Sequence, residues 1–147
     1  MDNPIDIVEI IPKKDMSNFD NMETDELGPV LLDAAMANDI ETVLYVLDER
    51  RVPVDWSDPD DGCTTLQLAS LGGCDDIVLA LVERGADLNL RDDHGATALC
   101  CACQGGSSSV IEILLRGGDG IDVNAAGEFG LTPLMLAVQS LRMDLVL

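Results

Sequence analysis

Three short stretches of this chain share one pattern at a nearly fixed spacing. In each, a glycine is followed by a threonine, a leucine and an alanine at matching offsets; the stretches are 62–69, 95–102 and 130–137. The three glycines stand 33 and then 35 residues apart. A period of this size is typical of stacked-repeat proteins. Most side chains are therefore expected to build a scaffold, and function is expected to lie on the surface that the scaffold presents.

One full period, residues 62–89, predicts a turn followed by two short antiparallel helices. Thr64 is suited to cap the first helix, whose apolar residues recur at helical spacing. The glycine pair 72–73 breaks this helix, and a second apolar run begins at Ile77. Gly85 follows that run, where the backbone needs a left-handed conformation.

The pattern resembles the ankyrin repeat, whose core reads Gly-x-Thr-Pro-Leu-His-Leu-Ala-Ala and closes with Gly-Ala-Asp-Val-Asn. Residues 62–89 match most of this core, 95–124 match its helices and its close, and 130–147 match its first helix. A degenerate unit beginning near Leu31 looks like an amino-terminal capping repeat. The resemblance implies an all-α fold, an ankyrin-repeat solenoid of stacked helix-turn-helix units with short turn or hairpin tips and an incomplete last repeat.

The first helices depart from the family at one position. The usual histidine is replaced by Gln67, Cys100 and Met135 in the three stretches. The hydrogen bonds that this histidine would make between neighbouring turns are therefore expected to be absent or replaced.

The repeat register also divides the chain. Residues 1–27 carry eight acids, two lysines and no helical periodicity, which predicts a flexible acidic tail. The resemblance implies one ankyrin repeat domain over 28–147. Its parts are expected to be a capping repeat, two repeats and a partial repeat, at 28–58, 59–91, 92–126 and 127–147.

The carboxyl-terminal residues 145–147 are predicted to begin a second helix of the last repeat. Terminal repeats normally carry a polar outer face, which this end lacks. We therefore expect the chain to be part of a longer protein; a short form with an exposed last interface is the alternative.

The charge of the chain argues against two classes of partner. The net charge is −20, and no lysine follows Lys14. Phosphate backbones and anionic membranes repel such a surface, so neither nucleic acid nor membrane is an expected partner. A protein with a basic surface would be attracted; the alternative is that the acidity only keeps the chain soluble.

The expected compartment is the cytosol and/or the nucleus. The amino terminus lacks the basic and apolar segments of a signal peptide. The five cysteines are an odd number, which indicates reduced thiols.

Chemistry-bearing clusters are few. Cys100, Cys101 and Cys103 fall within a first helix, where cysteine usually packs as a small apolar residue, and a structural zinc site wants four ligands. No nucleophile, phosphate-loop or dinucleotide pattern is complete. We therefore expect no enzyme activity, no metal and no cofactor.

Two further segments have alternative interpretations. The run Ile5–Ile11 alternates branched apolar residues with acids and looks like a SUMO-interaction motif. Its alternative is packing of these side chains on the first repeat. Trp56 is expected to lie over a repeat interface, and an aromatic anchor for a partner is its alternative.

The function that the resemblance implies is protein–protein interaction through the concave face of the array. The alternative is an amino-terminal regulatory or targeting region of a larger protein such as an enzyme, a channel or a ubiquitin-ligase adaptor. Phe129 and Leu131 are apolar where solvent is expected, so they are predicted to anchor the partner inside an acidic rim. Contact of Phe129 with a neighbouring turn is the alternative. The predicted partner-binding residues lie at the turn tips and the inner helix ends: Asp60, Asp61, Cys63, Leu71, Asp93, His94, Ala96, Gln104, Glu128, Phe129, Leu131 and Gln139.

Overall fold

The structure is a computed structural model that describes residues 14–118 and 120–146, with side chains described up to residue 141. Within these ranges the chain is helical and has no β-strand. The seven α-helices are α1 (Thr24–Met36), α2 (Ile40–Leu44), α3 (Thr65–Leu71), α4 (Asp75–Glu83), α5 (Ala98–Gly105), α6 (Ser108–Arg116) and α7 (Pro133–Val146). A π-helical turn, Tyr45–Glu49, extends α2. None of the described helices is long and apolar enough to cross a bilayer.

The helices form two layers. The first helices of successive repeats, α1, α3, α5 and α7, pack side by side in chain order, and the second helices α2, α4 and α6 pack in the same order behind them. One apolar core runs between the layers from Leu27 to Leu114. This arrangement confirms the all-α ankyrin solenoid that the sequence predicts.

Equivalent threonines begin the first helices. The Oγ1 atoms of Thr64, Thr97 and Thr132 each accept a hydrogen bond from a backbone N–H three residues later, at 3.3 Å. This satisfies one of the unpaired N–H groups of the first turn. The helix cap predicted at Thr64 is therefore confirmed, and Gly85 has the predicted left-handed backbone with φ of 79°.

A tight turn precedes each of these helices. We name the turns tip 1 (58–63), tip 2 (92–96) and tip 3 (127–131). A backbone hydrogen bond closes each tip from its first N–H to its last carbonyl oxygen, at 2.9, 3.1 and 3.0 Å respectively. Adjacent tips also touch, since the Asp93 N–H donates to the Asp61 carbonyl oxygen at 2.8 Å. The tips therefore form a stacked row along one edge of the array.

The interturn hydrogen bonds of the missing histidine are replaced. The Gln67 Nε2 atom donates to the carbonyl oxygens of Leu90 and Ala96 at 3.2 and 2.7 Å. At the same register, the Cys100 thiol donates to the Ala125 carbonyl oxygen at 3.3 Å. In two of the three stretches, the substitute side chain thus still ties a first helix to the turn that follows its repeat.

Within the described residues 14–27, the amino-terminal segment differs from the flexible tail expected over 1–27. Helix α1 begins at Thr24, before the expected domain boundary at residue 28, and Leu27 is fully buried. Phe19 and Met22 also pack against the core. The reason is that these few apolar residues pack on the core, although the polar and acidic residues around them hide any helical pattern in the sequence.

The carboxyl-terminal end differs from the expected second helix at residues 145–147. Helix α7 instead continues without a break to Val146. The first helices α3 and α5 end at the glycine pairs 72–73 and 105–106, whereas Ser140 and Leu141 occupy the equivalent place in α7. Without a glycine to break it, the helix propagates. Its outer face is apolar and exposed at Leu134, Met135, Val138 and Leu141.

Candidate protein-binding groove

A groove of about 370 Å³ runs along the concave side of the array between the tips and the first helices. Helices α3, α5 and α7 supply its floor, and tips 1, 2 and 3 supply its wall. The groove brings together most of the predicted partner-binding residues: Cys63, Leu71, His94, Ala96, Gln104, Glu128, Phe129, Leu131 and Gln139.

The other three predicted residues lie outside this groove. Asp60 and Asp93 are exposed at tips 1 and 2. Asp61 lines a second hollow of about 220 Å³, next to helix α1. Cys63 and Leu68 border both cavities, so the concave surface continues from α7 to α1.

Sequence reasoning missed the middle of the floor. Leu68, Cys101 and Leu136 line the groove and occupy the same register of three successive repeats. They lie one helical turn before the predicted Leu71 and Gln104. Residues three apart share a helix face, and this spacing was the available signal. Asp92 and Gly127 were also missed at the wall.

Side-chain hydrogen bonds hold tip 2 in shape. The Asp92 Oδ1 atom accepts from the backbone N–H groups of His94 and Ala96 at 3.0 and 2.9 Å. Aspartate is favoured in turns because its short carboxylate can bond the backbone in this way. Tip 3 has Gly127 at the equivalent position, so it lacks these two side-chain hydrogen bonds.

Phe129 projects from tip 3, the tip without these side-chain hydrogen bonds. Its side chain is 87% exposed, and its backbone has φ of 60°. A bulky residue with left-handed backbone is an outlier, and outliers of this kind cluster at functional sites. The ring is thus presented to solvent at the mouth of the groove and does not pack on a neighbouring turn.

Carboxylates surround the groove and act on its thiols. Burial, followed by the nearby Asp61 and Asp92, raises the pKa of Cys63 to about 11. Burial, followed by Asp92, raises the pKa of Cys101 to about 12. Both thiols are therefore protonated near neutral pH and are poor nucleophiles.

An ion-pair geometry bridges tips 2 and 3. The His94 Nδ1 atom lies 3.5 Å from the Glu128 Oε2 atom, and both side chains are more than half exposed. A pair this open to solvent contributes little stability. It places the imidazole ring of His94 beside the acidic side chains of the groove wall.

The other residues that the sequence singled out lie away from the groove wall or outside the described residues. Cys100 and Cys103 are buried in the core, and within the described ranges no group of three or more His, Cys, Asp or Glu residues could hold a metal ion. Trp56 is half-buried and its ring lies against Gly28 of α1. The segment Ile5–Ile11 lies outside the described residues.

The chain is similar to proteins that contain ankyrin repeats. It is 34% identical over 99 residues to human neurogenic locus notch homolog protein 2, covering 67% of this chain and 4% of that protein. It is 32% identical over 111 residues to human ankyrin repeat domain-containing protein 63, covering 72% and 28%. It is 34% identical over 104 residues to mouse protein phosphatase 1 regulatory subunit 27, covering 71% and 66%. The chain thus spans less than two thirds of these relatives' lengths.

The family model for ankyrin repeats (three copies) matches residues 2–92 and 85–147. Together these matches cover nearly the whole chain, and they agree with the stacked helix pairs and the capped first helices. Ankyrin repeats are generally non-catalytic modules for protein–protein interaction. The chain therefore belongs to the ankyrin repeat family.

Proposed function

We propose that this chain is a non-enzymatic adaptor or scaffold that binds a partner protein in the groove described above. The observation that carries the proposal is the convergence of three repeats on one concave surface with an apolar floor. Repeat arrays present extended concave surfaces of this kind to their ligands.

The floor is suited to an apolar anchor. Leu68, Leu131 and Leu136 line it and are only partly buried. Leu71 is 43% exposed at its end. Phe129 adds an exposed aromatic ring, a residue type that is enriched in interface cores. An apolar side chain of a partner would remove this surface from water, which is the main favourable term in association.

The wall is suited to a cation. Asp92 and Glu128 line the groove, and Asp93 is exposed beside them. After burial, Asp92 is among the causes of the raised pKa values of both Cys63 and Cys101. With a net charge of −20 on the chain, a partner with Lys or Arg around its apolar anchor fits best.

A second candidate function is supported by the open face of α7. Leu134, Met135 and Leu141 are all more than half exposed on one side of this helix. Buried residues of α5 form the equivalent surface under α7, so this face fits a further repeat or domain. The chain would then be a regulatory or targeting region of a longer protein, a role consistent with its coverage of only part of each relative.

The proposal is tested by affinity capture with three forms of the chain. The double variant Phe129→Asn, Leu131→Ser removes the anchor, and asparagine tolerates the left-handed backbone. Leu115→Ser is the matched control because Leu115 is 48% exposed on α6, away from the groove. We expect the wild type and the control to retain the same proteins and the double variant to lose them, with unchanged circular dichroism. Identical capture by all three forms would contradict the groove as the binding site.

A further inference from the structure

One exposed acid repeats along the row of tips. Asp60, Asp93 and Glu128 each stand two residues before the glycine of their tip, and all three are exposed. We name them the acidic ladder. Among the described residues, neither Asp60 nor Asp93 takes part in an ion pair. The ladder therefore presents one exposed carboxylate for each repeat beside the apolar groove, and the carboxylate of Glu128 also lies 3.5 Å from His94.

The step of the ladder follows from helix packing. The tips stack directly, through the Asp93–Asp61 backbone bond and the contact of Gly127 with Ala96. Their first helices pack side by side, and packed helices lie about 8–10 Å apart. Equivalent side chains of neighbouring tips are thus separated by about the same step.

Only some backbone conformations match this step. A β-strand returns to the same face every two residues, after about 7 Å, which is too short. A polyproline II segment has three residues per turn and a rise of about 3.1 Å, so it returns every ~9 Å. An α-helix is about 10–12 Å thick with its side chains, which suits a groove of this volume poorly.

We infer, on the basis of the proposed protein-binding groove, that its occupant is an extended polyproline II segment with a basic residue at every third position and apolar residues between. The basic side chains face Asp60, Asp93 and Glu128 in turn. The next face of the same three-residue turn directs apolar side chains onto the groove floor. A period of three residues thus places basic side chains opposite the acidic ladder and apolar side chains on the groove floor.

Synthetic peptides test this pairing on the full chain. The periodic probe contains three Arg-Pro-Leu units and carries a fluorescent label at one end. The block probe has the same residues in three runs, Arg then Pro then Leu, so its composition and charge are equal but its period is lost. A third probe is a proline-free basic helix. Binding is measured by fluorescence anisotropy at low and at physiological salt.

Two matched variants locate the binding. Asp93→Asn removes one rung of the ladder, whereas Asp76→Asn makes the same charge change on α4, where Asp76 is exposed away from the groove. We expect the periodic probe to bind at least tenfold more tightly than the block probe. We expect Asp93→Asn to weaken it severalfold more than Asp76→Asn does, with the larger loss at low salt.

Three results would overturn the inference and leave the proposed function standing. They are equal binding of the periodic and block probes, equal losses from the two aspartate variants, and tighter binding of the helical probe. Failure of the periodic probe to bind would also overturn it, while captured partners that still depend on Phe129 would preserve the groove. Captured partners that ignore Phe129 would instead refute the proposed function itself.

Discussion

The Gln67 Nε2 atom donates a 2.7 Å hydrogen bond to the carbonyl oxygen of Ala96, across two successive repeats. The same amide donates to Leu90, and its oxygen accepts from the Thr64 N–H at 2.8 Å. Gln67 is 1% exposed, so its amide group is shielded from water and depends on these backbone partners for its hydrogen bonds. One glutamine thus fixes the cap of its own helix and the position of tip 2.

Gln67→Ala should destabilise the chain strongly. It leaves the Leu90 carbonyl and the Thr64 N–H without this partner, removes one of the two donors to the Ala96 carbonyl and opens a cavity, so we expect a loss of about 2–4 kcal/mol. Gln104→Ala is the matched control, since Gln104 is exposed at the groove, and it should change stability by less than about 0.5 kcal/mol. Urea unfolding followed by circular dichroism measures both; equal midpoints would refute the bridging role of Gln67.

Ser70→Ala should stabilise the chain. The Ser70 hydroxyl is fully buried and has no hydrogen-bond partner. An unsatisfied buried hydroxyl costs about 1–3 kcal/mol, and alanine at this position keeps almost the same volume. Thermal unfolding should therefore show a raised midpoint, whereas Ser108→Ala on the exposed side of α6 should leave the midpoint in place. A lowered midpoint for Ser70→Ala would show that the hydroxyl is satisfied.

Gly28→Ala should displace the indole of Trp56. A β-carbon at residue 28 would meet the ring at 2.1 Å, and real contacts are never this short. Because the sequence has a single tryptophan, its fluorescence reports the change directly. We expect a red shift of emission as the ring becomes more exposed, together with a lower unfolding midpoint.

Gly118→Ala is the control for that experiment, since its β-carbon would approach Leu88 no closer than 3.7 Å. Its emission maximum should equal that of the wild type. An unshifted spectrum for Gly28→Ala would show that the ring does not lie on α1.

The groove thiols should make stability fall at alkaline pH. An unfolded cysteine has a pKa of about 8.5, whereas the pKa is about 11 for Cys63 and about 12 for Cys101 in the fold. Both folded pKa values are raised, so their contribution is present below pH ~8.5 and is lost as the pH rises toward 11–12. The double variant Cys63→Ala, Cys101→Ala should show a shallower decline in unfolding free energy between pH 8.5 and 11. Parallel curves would contradict the raised pKa values.

The fold could be predicted because each repeat contains the same residues that mark where its helices begin and end. Thr64 and Thr97 begin helices, Gly85 ends one, and the apolar spacing between them gives the buried face. The two ends could not be predicted so well. Phe19 and Met22 are only two apolar residues among polar and acidic neighbours, too few to establish a helical period, and the continuation of α7 depends on the absence of a glycine.

The site was predictable in outline only. The turn-tip register led to His94 and Phe129, which line the groove. It did not lead to Leu68 or Cys101, since they sit deeper on the helices, where the width of the groove decides whether a side chain is accessible. The left-handed backbone of Phe129 carries no sequence signal of its own.

Site-specific photo-crosslinking in cells shows whether partners bind the concave groove. A photoreactive side chain replaces Gln104 at the groove or, as the control, Leu115 on α6; both positions are exposed. If partners bind the groove, we expect protein adducts from position 104 that disappear when Phe129→Asn is added, and none of these adducts from position 115. Adducts from position 115 alone, or adducts from position 104 that persist with Phe129→Asn, would contradict it.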